Sequence, residues 1–87
     1  MRKKFQQILK TYFYHDLIKT RKELNLSQAK MAERLMMDNR SYIQLDHGKF
    51  CCSGLTLALY LIYCSIDPIL FLNKLQYAFE KEDRDAA

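Results

Sequence analysis

Apolar positions recur along this chain mostly at helical spacing. Phe5, Ile8, Leu9, Tyr12 and Phe13, continued by Leu17, Arg21 and Leu24, stripe a segment from about Lys3 to Leu24. It reads either as one long helix or as a helix that starts near Thr11, a residue able to cap it, with residues 1–10 as a separate arm. Asn25 tolerates the left-handed backbone that ends a helix. Ser27 then caps a second helix, Gln28–Leu35, its hydroxyl accepting a first-turn amide near Lys30. Ala29, Met31, Ala32 and Leu35 are expected on or near its inner face. Met36 and Met37 form a short connection. Asp38 caps a third helix from Asn39 to about His47, with Tyr42 and Leu45 pointing inward and Gly48 as its stop. Lys49–Cys52 is a loop. Ser53 caps a fourth helix, Gly54–Cys64. Asp67 caps a fifth, with Pro68 at its first position, running to about Glu80. Lys81–Ala87 is a charged tail expected to fray.

The fourth helix departs from the amphipathic pattern of the others. Leu55, Leu57, Ala58, Leu59, Tyr60, Leu61, Ile62, Tyr63 and Cys64 leave it no polar face, and a helix apolar all round must be covered on every side. Either the N-terminal aromatic segment folds over it or a second subunit does. A homodimer through the fourth and fifth helices is the expectation, with Leu59, Ile62, Tyr63, Phe71 and Leu75 at the interface and Tyr77 and Phe79 as further members.

Composition agrees with an all-α chain. In 87 residues there are two glycines and one proline, too few for the turns of an all-β fold. A chain of this length makes one domain with a small core, which leaves little room for a deep substrate cleft. Residues 1–30 carry eight Lys/Arg against two Asp/Glu, residues 31–50 are neutral, and residues 51–87 carry three against five. A basic first third with an acidic end points to an anionic partner on one side of the molecule. Cys51, Cys52 and Cys64 fit neither a disulfide framework nor a zinc site, and read as reduced thiols, at least partly buried, in a cytoplasmic protein. Cys51 and Cys52 lie in the loop after the third helix and would sense oxidation only if one is exposed with a low pKa. Leu57–Ile66 is about half of a membrane span, and no secretory signal precedes the domain. His15 and His47 lack metal-type spacing, and no catalytic arrangement or phosphate loop is present. The chain reads as a non-enzyme with no cofactor, metal or small-molecule substrate.

Two short helices joined by a tight turn are the helix-turn-helix arrangement. The run Leu26-Ser27-Gln28-Ala29-Lys30-Met31-Ala32-Glu33-Arg34-Leu35 resembles the first half of the phage repressor/Cro-type helix-turn-helix family, also called XRE. Asp38-Asn39-Arg40-Ser41-Tyr42-Ile43-Gln44-Leu45-Asp46-His47-Gly48-Lys49 resembles the second half. The likeness is ungapped from about Leu17 to Lys49 and looser to about Leu72. It implies a five-helix lambda-repressor-like bundle, with residues 11–80 as the DNA-binding domain and residues 1–10 as an arm or an extension of the first helix. It also implies that Asn39, Arg40, Ser41 and Gln44 reach base edges, where Arg forks to guanine and Asn or Gln pairs with adenine. Gln28, His47 and Lys49 would contact phosphates, and Arg21 would pair with Asp46. Three positions depart from the family pattern. Met36 stands where glycine is usual, Tyr42 where a smaller aliphatic is usual, and Ile43 where a polar residue is usual.

The expected function is a sequence-specific regulator of transcription, a repressor binding double-stranded DNA as a homodimer. The rival is a protein-interaction module on the same fold, antitoxin-like or the partner of another regulator, using the apolar fourth helix and Ile43.

Overall fold

A computed structural model describes residues 2–86. They form five helices: α1 (Arg2–Glu23), α2 (Gln28–Arg34), α3 (Asn39–Asp46), α4 (Gly54–Tyr63) and α5 (Pro68–Ala86). Short polar side chains start four of them. Ser27 accepts the amide of Lys30 at 3.1 Å and Asp38 that of Ser41 at 3.2 Å. Ser53 accepts that of Thr56 at 3.1 Å and Asp67 that of Leu70 at 2.9 Å. Each thereby satisfies one of the four amides a helix start leaves open.

The connections use positive φ where the chain must reverse. Asn25 (φ 56°), Met36 (φ 57°) and Gly48 (φ 71°) all adopt it. Met36 therefore takes the left-handed backbone that a glycine would take without cost, and its side chain is 73% exposed. Gly48 is held by space as well: a Cβ there would lie 3.1 Å from the Tyr14 ring.

α1 is one unbroken helix, so residues 1–10 (from Arg2 on) extend it rather than forming a separate arm. It pairs with α5. Phe5 stacks on Phe79 with ring centroids 5.0 Å apart, and Lys4 Nζ lies 3.3 Å from Glu82 Oε1. Those contacts hold α5 against a neighbouring helix past Glu80, as far as Glu82, and the helix runs on to Ala86 instead of fraying after Glu80. The core is Phe13 and Leu17 from α1, Met31, Ala32 and Leu35 around α2, Tyr42 and Leu45 from α3, Tyr60 and Cys64 around α4, and Phe71 and Leu75 from α5. Phe13 and Phe71 meet Tyr60 edge-on, at 5.1 Å and 6.4 Å between centroids.

Three expectations of inward facing are corrected: Tyr12, Leu24 and Ala29 are exposed. Leu24 lies just past the end of α1. On α2 the buried arc is Met31, Ala32 and the following Leu35. At about 100° per residue those three span about 100° of the helix, and Ala29 falls about 60° beyond Ala32, outside the arc. No helix among the described residues is long and apolar enough to cross a membrane.

Candidate nucleic-acid interface

α2 and α3 pack together, joined by Leu35–Asp38, and α1 braces α3 from behind. The brace is chemical as well as steric. Asp46, at the end of α3, is buried and accepts three hydrogen bonds. Arg21 Nε donates to its Oδ1 at 3.1 Å, the Tyr42 hydroxyl donates to the same oxygen at 2.9 Å, and Gln28 Nε2 donates to Oδ2 at 2.9 Å. One carboxylate thus ties α1, α2 and α3 into a fixed relation. Arg21 also reaches the Leu26 carbonyl at 3.4 Å. Burial, and then the Asp46 carboxylate, push the Tyr42 phenol well above its ordinary range, so it stays a donor.

With Tyr42, Leu45 and Asp46 held inward, α3 turns its other positions outward. Asn39, Arg40, Ser41 and Gln44 are all exposed, as are His47 and Lys49 just beyond the helix. Ile43 shares that outer surface at 39% exposure. Asp38 sits at the start of the same helix. The Ser41 hydroxyl and amide hold its carboxyl below the usual carboxylate range, so it serves the helix start as a charged cap. Gln28 is half-buried and committed to Asp46 through one N–H. Its amide carries a second N–H beyond the one given to Asp46.

Sequence reasoning missed Gln28 and Tyr42 as partners of Asp46. A tyrosine where an aliphatic residue was expected, four residues before an aspartate on a helix, was the available signal. It also missed a second buried polar group. The Tyr60 hydroxyl bonds to Asp16 and lies 2.8 Å from Thr20 Oγ1, joining α4 to α1. Nothing local marks that group, because Asp16 and Tyr60 are far apart in the chain.

The expected dimer interface divides. Phe71 and Leu75 are 4% and 7% exposed and belong to the core, so they offer no surface to a partner. They lie on the α5 face turned to the core, where Phe71 meets Tyr60. Leu59 packs against the core. Ile62 and Tyr63 are 69% and 58% exposed. Leu55, Ile66, Ile69 and Leu70 are exposed too, so the outer side of α4 and the start of α5 form an apolar surface that α1 does not cover. Tyr77 is exposed, whereas Phe79 is held by Phe5.

The thiols are free, with Cys64 buried and Cys51 and Cys52 half-buried. Burial, and then the adjacent Cys51, push the Cys52 thiol up to about 12, which disfavours the reactive thiolate. No family model, curated protein or solved structure matches the chain.

Proposed function

We propose that the chain is a sequence-specific double-stranded DNA-binding protein of the helix-turn-helix type that regulates transcription, with α3 as the recognition helix. One observation carries the reading: α3 is locked from behind by the Arg21, Gln28 and Tyr42 bonds to Asp46, while Asn39, Arg40, Ser41 and Gln44 stand free on its outer side. Eight residues make a helix about 12 Å long, a size the major groove of about 12 Å width admits. Arg40 would fork to guanine, and Asn39 and Gln44 would each pair with adenine. Ser41 would bond either base. Lys49, His47 and the second amide N–H of Gln28 would hold phosphates. The net charge of +4 favours such a partner. Bound at a promoter in the cytoplasm, the protein would repress by occluding polymerase.

The exposed apolar surface at Ile62 and Tyr63 supports a homodimer, whose twofold axis would place two recognition helices about 34 Å apart on a palindromic site. The same surface, together with Ile43, also supports a second reading, a module that binds another protein. Selection of duplex DNA from a random pool at physiological salt separates them. The DNA reading expects a palindromic motif for the wild type that Arg40→Ala loses or relaxes at one position. A folded wild type that enriches no motif overturns it and favours the protein partner.

A further inference from the structure

We propose that Lys3 and Lys10, on the N-terminal half of α1, form a second phosphate-binding element that grips duplex DNA flanking the bases read by α3; this rests on the DNA-binding reading above. The side of α1 that faces α3 is fixed at two points. Arg21 bonds to Asp46, and the Tyr14 ring lies against Gly48. At about 100° per residue, Lys3, Gln7 and Lys10 fall within about 40° of Tyr14 around the helix. The stripe therefore continues on the α3 side, and Lys3 lies about 16 Å along the axis beyond Tyr14. That half of α1 borders both the loop after α3 and α5: Arg2, Phe5 and Gln6 line a groove of about 370 Å³ with Cys51, Cys52 and Phe79. Lys49 belongs to the same loop.

The positions of the charges favour an outside partner. No acidic residue precedes Asp16 in the chain. Cations in the first turn of a helix oppose its dipole, so Arg2, Lys3 and Lys4 do not serve the helix itself. Lys4 is turned toward α5 and meets Glu82. Lys3 is not so placed: it lies about 160° around α1 from Phe5, which stacks on α5. The stripe thus lies about 140–160° around α1 from Phe5, away from the ring that packs on α5. Lys3 and Gln7 are exposed and Lys10 half-exposed. Two lysines about 10 Å apart along a rod, each on a flexible stem, suit separate phosphates of one backbone, which carry charge but no sequence.

The test uses Lys3→Gln/Lys10→Gln, with Lys74→Gln/Lys81→Gln on α5 as a control of equal charge. Affinity for a duplex with long flanks is measured across salt concentrations, for the enriched motif and for a random sequence. Two lost phosphate contacts reduce the slope of log affinity against log salt by about 1.8. Between about 50 and 200 mM salt the wild type then loses about tenfold more affinity than the Lys3/Lys10 variant. The loss is the same on both duplexes, the enriched motif is unchanged, and the α5 control behaves as wild type. Trimming the duplex to the motif abolishes the difference between wild type and variant. A Lys3/Lys10 variant with wild-type slope on the long duplex overturns this inference and leaves the recognition helix untouched. An equal slope change in the α5 control also overturns it, since net charge would then suffice. A wild type that binds no duplex removes the DNA reading itself.

Discussion

Asp46→Ala is expected to destabilise the fold markedly while leaving every outward residue of α3 in place. The carboxylate takes three hydrogen bonds, from Arg21, Gln28 and Tyr42. Removing it leaves the Tyr42 hydroxyl buried without an acceptor, at a cost of about 1–3 kcal/mol. Arg21 loses its ion-pair partner, but its side chain is 20% exposed and retains the Leu26 carbonyl, so water offsets part of that loss. Gln28 is half-buried and can turn to water. The total is about 3 kcal/mol, the low end for breaking a buried pair. For a domain this small, that lowers the melting temperature by about 12–24 °C. Asp46→Asn should cost about 1–2 kcal/mol, because the amide oxygen still accepts and Gln28 can present its own oxygen to the new N–H. Urea unfolding of both variants gives the magnitudes. Repeating Asp46→Ala in a Tyr42→Phe background tests the assignment: the second cost should shrink by about 1 kcal/mol or more. An Asp46→Ala variant within about 0.5 kcal/mol of wild type, or strictly additive double-mutant values, would mean that Asp46 does not tie the three helices together.

Further outcomes follow from particular positions. Gly48→Ala should cost about 1–2 kcal/mol in urea unfolding, because the backbone is left-handed and the new methyl meets Tyr14; Tyr14→Leu should recover only the packing part. Met36→Gly should stabilise by about 0.5–1 kcal/mol, since an exposed residue is relieved of positive φ; a destabilised variant would contradict that account. On the alkaline side, stability should hold from neutrality to about pH 9 and fall as pH rises further. Cys52 is held protonated in the fold, from an ordinary value of 9.0 up to about 12, and Tyr42 and Tyr60 are raised above their ordinary 10.0. Groups raised in the folded state favour the fold below their unfolded pKa and lose that contribution as pH climbs through the folded one; a urea midpoint that rises between about pH 9 and 11 would be inconsistent with this. Ile62→Glu should keep the helical far-UV signal and abolish the proposed homodimer by sedimentation, whereas an unfolded variant would mean the position is not the surface described.

What could be read from the sequence was whatever is decided locally. Ser27, Asp38, Ser53 and Asp67 mark helix starts because a short polar side chain bonds an amide three residues on, and nothing distant can change that. Asn25 and Gly48 mark stops for the same kind of reason. The length of α5 was not legible. Acidic residues at a helix end oppose the dipole, which argues for an early stop, but Phe79 and Glu82 are tied to Phe5 and Lys4 of a distant segment. The facing of α4 and α5 was not legible either. Along α4 every position is apolar, so periodicity cannot say which are inside; on α5 the i, i+4 spacing of Phe71 and Leu75 marks an inner face but not whether it meets the chain's own core or a partner, and these two are buried while Ile62 and Tyr63 are not. On the candidate interface, the outward residues followed from counting around α3. The three-way tie at Asp46 did not, because it joins three helices that the sequence presents separately.

The proposed recognition role of α3 requires its outer side to meet DNA. Backbone amide chemical-shift mapping of the labelled protein against a duplex carrying the enriched motif tests it most directly. The largest changes are expected from Asp38 to Gln44 and at Gln28 and Lys49, with Arg40→Ala abolishing those on α3. Changes concentrated on Leu55–Tyr63, with α3 silent, would contradict it.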